Sequence, residues 1–152
     1  MTRLKVVAHR KSGHIVKGFA ELNVPVNDKG IPDSGPIPLA KSLTVHSSIN
    51  GRSVAIPVDT LKALYFVKSF EGDAAYAETK FFNPAPRIEG LWIHVTFADG
   101  ETTEGIVSNN INLVNEPGFL MKPPDPLSNN HAVYVLKSAL KHFRVVGVRA
   151  EY

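Results

Sequence analysis

The chain repeats itself, and the repeat limits the folds open to it more than any other feature. Shifted by 87 residues, the run from Leu4 to Gly13 lies over the run from Leu91 to Gly100, and Gly18 lies over Gly105. Near the ends the copies match again with an offset of 79, so that Val54 to Leu64 lies over Val133 to Phe143. Leu61-Lys62 and Leu140-Lys141 are then identical pairs. The offset falls because the first copy carries an insertion, about Asn27 to Leu39, whose Gly, Pro and Asp content reads as a loop.

Within each copy the pattern is that of short strands. Leu91, Ile93, Val95 and Phe97 alternate with Trp92, His94 and Thr96, the period-two signature of a half-buried strand. Asp99-Gly100 is a strong hairpin turn because glycine accepts the positive φ such turns need, and Ser12-Gly13 is its weaker counterpart. A second strand follows, with Gly18 or Gly105 where it must bend. Three further strands complete each copy, the last two joined by a tight turn at Asp59-Thr60 or Ser138-Ala139. Five short, bent strands of this order predict a small barrel. The expected organisation is a first barrel over 3–70, a linker over 71–87 and a second barrel over 88–149. In the linker, Tyr76, Phe81 and Phe82 suggest packing, and Ala74 to Lys80 fits one helical turn. A lone barrel of about 60 residues buries little apolar surface, so the two are expected to pack together about a pseudo-twofold axis.

The run Ile93-His94-Val95-Thr96-Phe97-Ala98-Asp99-Gly100, with Gly105 after it and Asn110-Ile111-Asn112-Leu113-Val114 beyond, resembles the first motif of Sm-like domains. The second motif falls at Val135 to Leu140, where Lys137-Ser138 stands in place of the family's Arg-Gly. The resemblance implies an all-β chain of two tandem five-stranded Sm-like or SH3-like barrels. It also implies Asn112 as a base contact, with Lys137 as a partial substitute for the arginine. The chain is similar as well to a group of uncharacterised bacterial proteins, through the stretch Pro117 to Leu120, Pro124 to Asn130 and the strand Ala132 to Val135.

Composition narrows the function. There is no cysteine, so disulfides, thiolate metal sites and a cysteine nucleophile are excluded. Six histidines are scattered without repeating with the fold, and no metal site or cofactor is expected. The serines lack a G-x-S-x-G context, and no P-loop or H-E-x-x-H pattern occurs, so the chain reads as no enzyme. No apolar stretch is long enough for a signal peptide or a bilayer span, which makes the cytoplasm the default location and a membrane partner unexpected.

Two binding surfaces remain. Prolines stiffen the segment Pro123 to Asn130, and Pro124, Asp125, Ser128, Asn129 and Asn130 are its candidate contacts to a protein or peptide partner. The free edges of small barrels also invite strand addition. The alternative is weak RNA binding, favoured by a net charge of +3 and by basic residues on the first hairpin. Its candidate contacts are Arg10, Lys11 and Lys17, with Asn112 and Lys137 from the second copy. Copy two carries Asp99, Glu101 and Glu104 at the matching hairpin, so opposite charges also favour head-to-tail association of the units, and a homo-oligomer is compatible with this pattern.

Overall fold

The structure is a computed structural model that describes residues 2–32, 36–71, 80–81, 89–125 and 128–149. Its first half holds β1 (Thr2–Arg10), β2 (Ile15–Leu22), β3 (Ser42–Ser47), β4 (Ser53–Pro57) and β5 (Leu61–Val67). The second half holds β6 (Gly90–Phe97), β7 (Thr102–Val107), β8 (Gly118–Met121), β9 (Asn130–Leu136) and β10 (Leu140–Arg149), with one helical turn, α1 (Asn112–Asn115). A single 3-10 turn precedes the last strand of each half, at Val58–Thr60 and at Lys137–Ala139. The chain is all-β, as the alternation predicts.

The hairpins form for local reasons. Gly13 and Gly100 sit at φ of 93° and 95°, the left-handed region glycine enters without a Cβ penalty. The hydrogen bonds around them recur at the sequence offsets. Arg10 N–H donates to His14 O at 2.9 Å, and Phe97 N–H donates to Glu101 O at 2.8 Å. Lys11 N–H reaches Thr60 O at 2.8 Å, and Ala98 N–H reaches Ala139 O at 2.9 Å. Gly18 and Gly105 lie where one strand crosses closely over the next. A Cβ at Gly18 would overlap the His46 carbonyl, and one at Gly105 would overlap the Met121 side chain.

The expected closed barrels do not form. The strands make a seven-stranded sheet in the order β4-β3-β2-β1-β5-β9-β8 and a three-stranded sheet in the order β10-β6-β7, neither closed. The physical reason lies at β5. Its outer edge is taken by β9 of the other half, with Leu64 opposite Tyr134 and Phe66 opposite Ala132, so it has no edge left to close its own sheet. In the second half, among the described residues, the only backbone pairing between the β7 and β8 segments is the isolated bridge Ile106↔Lys122. A pseudo-twofold would pair equivalent strands. Here the fifth strand of one half pairs with the fourth strand of the other, so the seam runs head to tail.

β9 therefore serves two cores. Ala132, Tyr134 and Leu136 pack into the first, with Val6, Leu61, Leu64 and Phe66. Val133 and Val135 pack into the second, with Ile93, Val95 and Phe97. The insertion is not wholly loose: Val26 bridges Pro32, and Ile37 is buried in the first core. Of the linker, Glu71, Lys80 and Phe81 are described. Lys80 O accepts from Glu104 N–H at 2.9 Å, and Phe81 stacks on His94 at 5.9 Å between centroids. The expected helical turn before Lys80, with Tyr76, and also Phe82, lie outside the described residues. No helix among the described residues is long and apolar enough to cross a membrane.

Candidate interaction edge

An ion-pair cluster tightens the seam between the halves. Lys62, buried on β5, donates through Nζ to Asp99 Oδ2 at 2.7 Å and Glu101 Oε1 at 3.2 Å in the β6–β7 turn. Its Nζ also lies 4.5 Å over the Phe97 ring. Burial acts to lower the Lys62 pKa, but the bonds to Asp99 and Glu101 outweigh it and raise the pKa above the ordinary lysine value. The Lys62 hydrogen bond holds the Asp99 carboxyl below the ordinary carboxylate value. The contribution of Asp99 is complete above the ordinary carboxylate range and is lost as pH falls through its lowered folded-state value. That of Lys62 is complete below the ordinary lysine value and is lost as pH rises through its raised one. Lys62→Met should therefore cost about 1 kcal/mol on the plateau between, because both carboxylates are partly solvated. Its unfolding free energy should converge on wild type at both extremes in urea titrations across pH. A difference that persists below the carboxylate range would locate the effect in packing.

Among the described residues, the free edge of the second half is β10. Its register with β6 puts Leu140, Phe143, Val145 and Val148 on the same face as the buried Phe97, Val95, Ile93 and Leu91. That is the core face, yet Phe143, Val145 and Val148 are 40, 45 and 66 % exposed. On β5 the residues at the same places are Leu61, Leu64 and Phe66, and all are buried. The difference is β9, which covers β5 and has no counterpart beside β10 among the described residues. Phe143 touches the Phe119 ring edge-on at 5.4 Å. Beside it a surface pocket of about 370 Å³ is lined by residues that include Leu113 of α1, Phe119, Leu140 and Phe143; Ile111, just before α1, and Val114 within it are exposed.

These features come with a family assignment. Residues 2–147 match the family of unknown function DUF6982. The chain belongs to that family. No curated protein and no solved structure matches it.

In this DUF6982 chain the residues predicted from the sequence are spread over several places. Asn129 is turned inward: its Oδ1 accepts from Ser69 N–H at 3.1 Å, and its Nδ2 donates to Ser69 O at 2.9 Å. Asp125 and Ser128 are buried, with Ser128 N–H donating to Asp125 O, and Ser128 Oγ caps Asn130 N–H at 2.9 Å. Pro124 is half-buried. The segment braces β9 against the end of β5. Lys137 Nζ reaches Val114 O at 3.2 Å, which places it beside α1, where Asn112 is half-buried. Lys17 Nζ is tied to Phe70 O at 2.9 Å, Lys11 is exposed, and the Arg10 Nε is buried. The structure brings Lys137 to the helix of Asn112, while Arg10, Lys11 and Lys17 sit on the first hairpin.

Sequence reasoning missed the apolar edge of β10. Its signal was available in part: Leu140, Phe143 and Val145 carry the apolar spacing of Leu61, Leu64 and Phe66, and among the described residues no strand covers them as β9 covers β5. Another pocket, about 380 Å³, lies where the halves meet and includes His9, Tyr65, Lys17 and Glu101 in its wall. The His9 ring packs at a tilt against Tyr65, 4.5 Å between centroids, and burial together with the Lys62 charge lowers its pKa.

Proposed function

We propose that this chain is a tandem repeat of one open, five-stranded Sm-like unit and acts as a non-catalytic interaction module, taking an extended strand of a protein partner on the outer edge of β10. The observation that carries the reading is the contrast between equivalent strands. Leu64 and Phe66 are 0 and 2 % exposed beneath β9, whereas Phe143 and Val145 are left open. An edge strand offers unpaired N–H and C=O groups, and a partner strand supplies hydrogen bonds while alternate side chains fill the apolar face.

The test uses a labelled peptide with the sequence of β9, Asn130 to Leu136, which is the strand β5 already accepts. Anisotropy should rise saturably with wild type and fail to rise with Val145→Lys, which sets a charge into the apolar row. No binding, or binding indifferent to Val145→Lys, would end this reading.

A second reading, single-stranded RNA binding, is favoured by one cluster. Arg3 lies 4.2 Å over Phe19, Lys5 lies 5.3 Å over Phe70, and Lys17 is bonded beside them. Cations and aromatic faces together suit phosphates and bases, although here the cations already occupy the rings. Labelled RNA in the same assay should bind and weaken steeply with salt if this reading holds. Lys11→Glu and Asn112→Ala would then lower binding further.

A further inference from the structure

We propose that the strand seated on β10 is β4 of a second copy of this chain, so that copies join head to tail through a repeat of the internal seam. The inference rests on the strand-accepting reading of β10 and names its occupant. Counted through the bridge between β7 and β8, the strands run in one continuous order with two free ends among the described residues, β4 and β10. The offset of 79 makes β10 the counterpart of β5, and β4 the counterpart of β9. The chain already joins β5 to β9, so it carries both halves of a second, unused joint of the same kind.

The register follows from the internal one. Ala63↔Val135, Leu64↔Tyr134, Tyr65↔Val133 and Phe66↔Ala132 pair within the chain. Shifted by 79, these become His142 with Ile56, Phe143 with Ala55, Arg144 with Val54, and Val145 with Ser53 of the second copy. The burial of β4 fits this use. Ile56 is buried in its own core, as Val135 is, while Ser53 and Ala55 are exposed where Ala132 and Tyr134 face the neighbouring core. Pro57, which has no N–H to donate, matches Leu136, and Leu136 lies just outside the ladder with β5. The proline does not obstruct the joint.

The external joint is weaker than the internal one, for stated reasons. Ala55 stands where Tyr134 does, so less apolar area is buried. The ion pairs are missing too: Lys141 takes the place of Lys62, but Ser12 and His14 take those of Asp99 and Glu101. The turns are alike, since His14 N–H bonds Ser12 Oγ as Glu101 N–H bonds Asp99 Oδ1. Carboxylates can therefore be placed there without a new turn. A joint between unlike edges closes into a ring or runs on as a filament, and it does not stop at a dimer by symmetry.

Sedimentation velocity over a range of concentrations tests this with the intact chain. Wild type should grow beyond 16.6 kDa as concentration rises. Val145→Lys on one edge and Ala55→Lys on the other should each weaken association about tenfold or more, as a charge buried in the joint requires. Mixed in equal amounts, the two variants should recover association but stop at pairs, because each keeps one sound edge; this also shows that both are folded. Ser12→Asp with His14→Glu should tighten wild-type association about threefold. A chain monomeric throughout, including with the added carboxylates, overturns the proposal. So does association that Ala55→Lys leaves intact, which would mean contact between two β10 edges. If the β9 peptide binds while the chain stays monomeric, β10 accepts strands and only the second copy is wrong. If neither occurs, the strand-accepting reading falls as well.

Discussion

Tyr134→Ala is expected to lower the unfolding free energy by about 3–5 kcal/mol, the range for emptying a large buried aromatic site. Tyr134 sits on β9 yet packs into the core of the first half, opposite Leu64 and against Gly118, with 1 % of its surface exposed. Its loss opens a cavity at the joint between halves, where the surroundings cannot collapse without breaking the β5–β9 ladder. A domain of this size has about 5–15 kcal/mol to lose. Tyr134→Phe should go the other way. The hydroxyl is buried and has no hydrogen-bond partner among the described residues, and burial, with Glu116 adding to it, pushes its pKa up to about 12. Removing an unpaired polar atom while keeping the ring should stabilise by about 1 kcal/mol. Urea unfolding followed by circular dichroism reads both. A phenylalanine variant less stable than wild type would mean that the hydroxyl has a partner in solution.

Gly18→Ala should cost about 3 kcal/mol, at the upper end of overpacking penalties. The new methyl would run into the His46 carbonyl, a backbone atom held by the β2–β3 pairs Gly18↔Ser47 and Phe19↔His46. On its other side Gly18 is fixed opposite Val6 of β1. Neither neighbour yields without breaking ladder bonds. Gly105→Ala should cost less, about 1–2 kcal/mol, because the first atoms it meets belong to the flexible Met121 side chain. The order of the two penalties in denaturant unfolding is the check. A larger loss at Gly105 would mean that the Lys122 carbonyl, also close there, limits the site.

Much of the site was hidden in the sequence for a related reason. The stretch Pro123 to Asn130 reads as a rigid surface loop, yet Asn129 spends its side chain on Ser69, sixty residues away in the chain. Lys137 and Lys17 read as free cations, yet each has a backbone carbonyl beside it. Such partners come from other elements, and no local pattern announces them. The apolar row of β10 was legible by its spacing, but its openness was not, since the exposure of Phe143 and Val145 depends on which strand lies beside them.

The sequence by itself determined the strands, their turns and their bends. Alternation from Leu91 to Phe97 sets an inward and an outward face whatever the strand pairs with. Gly13 and Gly100 specify hairpins through their own φ, and Gly18 and Gly105 mark the close crossings. Only the tertiary structure decided how the edges were spent. An edge strand accepts any strand of compatible pattern, so β5 had a choice between closing its own sheet and joining β9. Burying Leu64 and Phe66 beneath Tyr134 and Ala132, with Lys62 held by Asp99 and Glu101, selects β9. That choice opens both sheets and leaves the outer edges of β4 and β10 without a neighbouring strand among the described residues. It is a sum over residues far apart in the chain, and for that reason it is written in no single stretch of it.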